Sequence, residues 1–331
     1  MGKSKLRTGY HAVSGAVFAA AMMMPTVALA DHHQDEEVSM ADDRQSDEEA
    51  TEASEVWSDP RAEEGQIATR IVNGIEAPPG LLTWQVSLFS AAFGHYCGGT
   101  KVSDEWVITA AHCITPQDKR SPQFWVMHGT NSLLDGGVVY EVEKAIPHPQ
   151  YSYNGNMHDI ALIKIVPGTA VPRSAAERSN RAMGERTISL ATEADEGNRT
   201  VYPERVTISG FGRTREGGRI SAKLMMAEVP LISNVDCNAP SVYNGRIASS
   251  MLCAGQLQPD SQGDIVDSCQ GDSGGPLVSG VRGNPKLVGV VSWGRGCARP
   301  NSPGVYTRVA SYYPWIMETM RREQQTAPQG Q

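Results

Sequence analysis

The sequence predicts an all-β protein, either a sandwich or a barrel. Three observations carry this expectation. Short apolar runs recur along the chain, turn-forming Gly, Pro, Asn and Asp separate them, and one stretch near the end has helical spacing. Many short strands with turn punctuation are how such folds read in sequence. In order, the runs are Gln85–Phe89, Trp106–Ala111, Phe124–Met127, Ile160–Ile165, Val206–Ser209, Leu287–Trp293 and Val305–Val309. The helix is expected from Ala310 to Arg322, where Tyr313, Ile316, Met317 and Met320 recur on one helical face. Residues 321–331 read as a polar tail.

The beginning of the chain does not read as folded protein. Lys3, Lys5 and Arg7 precede an apolar stretch from Ala12 to Ala30 that closes with Ala28-Leu29-Ala30. A basic start, an apolar middle and small closing residues make a secretory signal peptide over residues 1–30. An uncleaved membrane anchor is the competing reading, but Ser14, Gly15 and Pro25 interrupt the stretch. Residues 31–70 carry 14 Asp and Glu against three Arg, a net −11. Such a segment buries too little apolar surface to fold, so an acidic, disordered propeptide is expected there. His32-His33 within it read as part of a solvated tail, a weak metal site being the alternative.

From residue 71 onward basic and acidic residues balance at 23 each, so the net charge of −8 resides in the first 70 residues. A neutral body gives no argument for nucleic acid or for a membrane surface as partner. All six cysteines (Cys97, Cys113, Cys237, Cys253, Cys269 and Cys297) fall in this body. An even count behind a leader points to disulfides formed in an oxidising compartment, with fifteen pairings open to six cysteines. No Cys-x-x-Cys pair exists, which makes zinc a poor alternative.

The chemistry concentrates in Asp267-Ser268-Cys269-Gln270-Gly271-Asp272-Ser273-Gly274-Gly275-Pro276. Glycine beside a serine lets the backbone turn sharply and approach a reacting group. A serine hydroxyl becomes nucleophilic when a neighbouring base, usually histidine, takes its proton. Gly271-Asp272-Ser273-Gly274-Gly275 also fits the loose Gly-x-Ser-x-Gly pattern of α/β-hydrolases, in which the histidine follows the serine. The eight histidines are His11, His32, His33, His95, His112, His128, His148 and His158, and none follows Ser273. That order removes the α/β-hydrolase fold. Trp106-Val107-Ile108-Thr109-Ala110-Ala111-His112-Cys113 puts His112 at the end of an apolar run, and Asp159-Ile160-Ala161-Leu162-Ile163-Lys164 puts an acid at the mouth of another. His95, His128, His148 and His158 read as surface or packing residues.

With these pieces in order, the chain resembles the trypsin-like serine proteases of chymotrypsin fold. The motifs that carry the resemblance are Ile71-Val72-Asn73-Gly74, Thr109-Ala110-Ala111-His112-Cys113, Asp159-Ile160-Ala161-Leu162, the run from Asp267 to Pro276, Ser292-Trp293-Gly294 and Pro303-Gly304-Val305-Tyr306. They span residues 71 to about 320, the expected protease domain. The resemblance implies two six-stranded antiparallel β-barrels with a short C-terminal helix and an active site in the cleft between them. It implies Ser273 as nucleophile, His112 as base, Asp159 as the acid that orients the base, and the N–H groups of Gly271 and Ser273 as an oxyanion hole. It pairs Cys97 with Cys113, Cys237 with Cys253 and Cys269 with Cys297.

The same resemblance places Asp267 at the base of a specificity pocket, where a buried carboxylate favours a cationic side chain. Gly294 and Gly304 would leave room for Arg or Lys, and Ser292-Trp293-Gly294 would pair with an extended substrate. Cleavage after Arg70 would free the Ile71 α-amino group to pair with Asp272. The implied protein is a monomeric endopeptidase made as a zymogen and secreted, into the periplasm if the host is Gram-negative. Its implied partners are protein or peptide substrates with Arg or Lys before the scissile bond, and protein inhibitors. No nucleic acid, membrane, cofactor or metal is expected for the mature domain. Thr130 stands where trypsins bind calcium through a glutamate, so no calcium loop is expected. A non-catalytic binding module on the same fold and a serine esterase are the rival readings. Pro167–Arg205 is long and polar, reading as an enlarged inter-barrel linker or surface loop, and Asn198-Arg199-Thr200 has the form of a glycosylation sequon.

Overall fold

A computed structural model describes residues 71–114, 124–134, 137–166, 171–172, 187–198 and 200–326. The leader, the acidic segment with Arg70, residues 167–170 and 173–186 of the long connection, Arg199 of the sequon and residues 327–331 of the tail lie outside the described residues. The first half contains β1 (Ile75–Glu76), β2 (Gln85–Ser90), β3 (Gly94–Lys101), β4 (Trp106–Thr109), a helical turn α1 (Ala111–Ile114), β5 (Phe124–His128), β6 (Val138–Pro147), β7 (Ala161–Ile165) and β8 (Val171–Pro172). The second contains β9 (Ser189–Leu190), β10 (Arg205–Gly210), β11 (Met225–Ile232), a helical turn α2 (Asn234–Cys237), β12 (Met251–Ala254), β13 (Pro276–Ser279), β14 (Lys286–Trp293), β15 (Gly304–Arg308) and helix α3 (Val309–Thr326).

These strands close into two antiparallel barrels of six. The first runs β5-β2-β3-β4-β7-β6 and is closed by pairing of β5 with β6, with β8 added at β6. The second runs β11-β10-β13-β14-β15-β12 and is closed by β11 against β12. β1 adds to β11, and β9 lies parallel to β14.

The continuous apolar runs follow from burial on both faces of a strand. In β4, Val107 points into the first barrel with Val86, Leu88 and Val126. Its neighbours Trp106 and Ile108 point the other way, into a core shared with Phe211, Leu224 and Val290 of the second half and Ile316 of α3. In β14, Leu287 and Val290 face that shared core, while Val288 and Val291 face the second barrel with Ile208, Leu252 and Tyr306. Side chains alternate across a strand, so burial on both faces removes the usual polar alternation. Each fully buried aliphatic side chain of this kind stabilises by about 1.5–3 kcal/mol.

Three local expectations are corrected. The Trp106–Ala111 run leaves the strand at Thr109, whose hydroxyl donates to the Gly98 carbonyl at 2.8 Å, and Ala111 opens α1 instead. Helix α3 begins at Val309 and buries Val309, Ala310, Tyr312, Ile316 and Thr319; of the expected stripe Ile316 is buried and Met320 packs against the core, while Met317 is 43% exposed. The end of the long connection is anchored. Ile188, Ala191 and Val201 are buried, and Lys286 bridges both Asp195 oxygens at 2.8 and 2.9 Å. That lysine, with help from the Thr192 amide, pulls the Asp195 carboxyl down to about 2.

Candidate active site

The two barrels meet through hydrogen bonds that join the expected site residues. The turn α1 sets His112 directly beside Asp159, which is fully buried ahead of β7. Asp159 accepts the His112 backbone N–H on Oδ1 at 2.9 Å and the His112 Nδ1–H on Oδ2 at 2.8 Å. From the second barrel, the Ser292 hydroxyl donates to Oδ2 at 2.5 Å and the Thr307 hydroxyl donates to the Asp159 carbonyl at 2.7 Å. A carboxylate only accepts, so the imidazole proton sits on Nδ1 and Nε2 keeps its lone pair as a base. Ser292 was expected only to bind substrate; its contact with Asp159 is an additional one, which nothing in the strand pattern signals.

The loop carrying Ser273 packs backbone against backbone onto β3. The Gly98 N–H donates to the Ser273 carbonyl at 2.7 Å, and the Cys113 sulfur lies 3.6 Å from the same oxygen. Cys113 is bonded to Cys97 and follows His112 directly, so one disulfide braces the histidine turn against the serine loop. The other disulfides join Cys237 to Cys253 and Cys269 to Cys297. The 16-residue separation of the first corresponds to roughly 3 kcal/mol of lost unfolded-chain entropy. Among the described residues, neither the Gly271 N–H nor the Ser273 N–H donates to a backbone carbonyl. The close fit depends on Gly274, which has φ +79°. A Cβ there would collide with Thr109 Oγ1 and lie 2.7 Å from the Gly98 oxygen. Gly274→Ala is therefore expected to cost about 2–5 kcal/mol, from the left-handed backbone and overpacking together, read as a lower denaturant midpoint with reduced turnover.

His95, read from sequence as a packing residue, also touches this loop. Its Nδ1 is 2.8 Å from the Ser87 hydroxyl and its Nε2 is 3.0 Å from the Gly271 carbonyl. Burial pushes its pKa down to about 4, so the ring is neutral, with Nε2–H donating to Gly271 and Nδ1 accepting from Ser87. Gly271, at φ +98°, is thereby fixed from β3. No motif in the sequence marks His95 for this, since its partner lies 176 residues away.

Next to Ser273 a cavity of about 140 Å³ opens, with Asp267 in its lining and Ser292, Trp293, Gly294, Gly296 and Gly304 around it. Asp267 Oδ2 accepts the Ala298 N–H at 2.9 Å, while Oδ1 is buried without a hydrogen-bond partner. Burial pushes this carboxyl up to about 7. Asp272 is buried as well, accepting from Gly212 N–H at 2.8 Å and Cys269 N–H at 2.9 Å, and burial raises it to about 6. No cation pairs with it among the described residues. Ile71 is buried in the second barrel's core with φ +59°, and Val72 bridges to Asp267. Arg70 lies outside the described residues.

Comparison with known proteins agrees with this geometry. The human protein Transmembrane protease serine 5 is 37% identical over 259 residues, which cover 76% of this chain and 52% of the relative. The chain thus spans about half the length of that relative, and no helix among its described residues is long and apolar enough to cross a membrane. The trypsin family model matches residues 71–316, the stretch that builds both barrels. The chain belongs to the trypsin family.

Proposed function

We propose that this protein is a secreted zymogen which, once cut after Arg70, cleaves proteins after Arg or Lys through an acyl-enzyme. Ser273 attacks the scissile carbonyl while His112 Nε2 takes its proton. Asp159 holds the imidazole in the required tautomer and stabilises the imidazolium that forms. The Gly271 and Ser273 N–H groups receive the developing oxyanion, each contributing about 2.7–4 kcal/mol in the transition state. The histidine then returns its proton to the leaving amine, and water releases the acyl group along the same path.

The observation that carries the specificity is the buried Asp267 oxygen without a partner at the cavity. An unsatisfied buried carboxylate is costly, and a substrate guanidinium or ammonium relieves it. The activation reading is supported by Asp272, buried and without a cation, and by Ile71. A β-branched residue at φ +59° carries about 1–2 kcal/mol of strain, which disappears when cleavage removes the preceding carbonyl. The freed α-ammonium supplies the charge that Asp272 lacks, and the bridge from Val72 to Asp267 transmits the change to the pocket.

Labelling of Ser273 by a fluorophosphonate, together with turnover of matched Arg, Lys and Phe peptide amides, tests the reading. Labelling and preference for Arg or Lys are expected; a Phe preference overturns the specificity, and a chain that never labels overturns catalysis by Ser273. If the Ser273→Ala precursor is cut at Arg70 as fast as wild type, another protease performs the activation.

A further inference from the structure

Two arginines stand on the rim of the specificity cavity. Arg295 lies between Gly294 and Gly296, both in the cavity wall. Its guanidinium sits 4.8 Å from the centre of the Tyr243 ring and donates to the Val242 carbonyl at 2.6 Å. The Arg246 guanidinium lies 5.2 Å from the centre of the Trp293 ring, which is also in the wall. Tyr243 packs edge-on against Trp293 with ring centres 4.9 Å apart, so one aromatic pair carries both cations. Tyr243 is fully buried and its hydroxyl donates to the Pro303 carbonyl at 2.6 Å, which makes the platform rigid.

Both arginines are exposed, and neither forms an ion pair among the described residues. The carboxylate beside the rim, Glu216, is already held by Arg299 at 2.6 and 2.8 Å. Asp267 is buried within the cavity, where it faces the cleaved residue. The rim therefore presents two fixed, uncompensated positive charges. Stacking on aromatic faces removes much of the rotamer freedom that normally weakens a surface guanidinium.

We propose that Arg246 and Arg295 form an acid-selective subsite, so that the enzyme favours substrates carrying Asp or Glu two or three residues before the basic residue it cleaves after. The inference rests on the proposed Arg/Lys specificity and on antiparallel pairing of substrate with Ser292-Trp293-Gly294. In that register the cleaved residue lies opposite Ser292, the residue two before it opposite Gly294, and the residue three before it opposite Arg295. An acidic side chain at either place comes within reach of the two guanidiniums.

The test uses the activated enzyme and four matched chromogenic peptides: acetyl-Glu-Ala-Pro-Arg against acetyl-Gln-Ala-Pro-Arg, and acetyl-Ala-Glu-Pro-Arg against acetyl-Ala-Gln-Pro-Arg. In at least one pair kcat/KM is expected to be about fivefold higher for Glu at low ionic strength, and the ratio to shrink in about 0.5 M salt. The Arg246→Gln, Arg295→Gln double variant brings the ratio towards one, and Arg246→Glu with Arg295→Glu inverts it. Each ratio is taken within a single protein preparation, so partial misfolding of a variant cancels. A wild-type ratio near one in both pairs, or a ratio that the variants leave unchanged, overturns the subsite while leaving the arginine specificity intact. Failure to cleave any of the four, with a Phe peptide cleaved instead, overturns the specificity reading itself.

Discussion

Asp159→Asn is expected to lower kcat by about 10⁴-fold while leaving KM and the folded state nearly unchanged. The reason lies in the donors that surround the carboxylate. The His112 backbone N–H points at Oδ1 and can only donate, so the asparagine carbonyl oxygen must occupy that position. The amide NH₂ then faces His112 Nδ1, where Oδ2 now accepts a proton at 2.8 Å. Two donors cannot share that contact, and the imidazole answers by moving its proton to Nε2. That nitrogen then has no lone pair for the Ser273 hydroxyl. The Ser292 hydroxyl, which now donates to Oδ2, can rotate to accept from the new amide, so the buried site stays satisfied and the protein stays folded. Steady-state kinetics on an arginine peptide, with a thermal midpoint measured alongside, check both halves. A kcat within tenfold of wild type removes Asp159 from its proposed role.

Legibility in the sequence followed the physics of each element. Trp106–Thr109, Ala161–Ile165 and Lys286–Trp293 were visible because their two buried faces leave continuous apolar runs. Strand β3 was not visible: Gly94-His95-Tyr96-Cys97-Gly98-Gly99-Thr100-Lys101 is poor in strand formers, yet Cys97 to Lys101 are all buried. Gly98 is there because the Gly275 backbone approaches it, a Cβ on Gly98 lying 2.9 Å from Gly275 Cα, whereas a Cβ on Gly99 would press on Val107 and the Ile108 carbonyl of β4. Strand β6 was hidden by Glu141, Glu143 and Lys144, which lie on its exposed side, and β13 by an opening proline. At the site, local motifs pointed to His112, Asp159, Ser273 and Asp267. What they could not convey was long-range support: Ser292 on Asp159, Thr307 on the same residue's carbonyl, and His95 on Gly271 span 133, 148 and 176 residues. Those contacts exist only once both barrels have closed.

Asp267→Ser is expected to lower kcat/KM for arginine peptides by about 10³-fold and to raise the relative rate on Phe or Leu peptides. Truncating one partner of a buried charge pair costs roughly 2–5 kcal/mol, and about 4 kcal/mol corresponds to that factor. The wild-type pH dependence follows from the same group. Unfolded, the carboxyl ionises near its ordinary 3.8; folded, burial holds the proton on until about 7. Between these values folding takes up a proton, so this residue's contribution to stability falls as pH rises through the window. A bound guanidinium reverses the preference by favouring the carboxylate. Below pH 7 its binding must expel the proton, and affinity for cationic ligands weakens as the solution becomes more acidic. Titrating a small amidine inhibitor between about pH 5 and 8 should show that slope in wild type and lose it in Asp267→Ser, where no proton remains to be released. Since Ala298 N–H loses its acceptor in the variant, Asp267→Asn, which keeps an acceptor without the charge, separates the electrostatic loss from a collapsed pocket. Asn and Ser variants that both retain the wild-type ratio of Arg to Phe turnover would place the specificity elsewhere in the cleft.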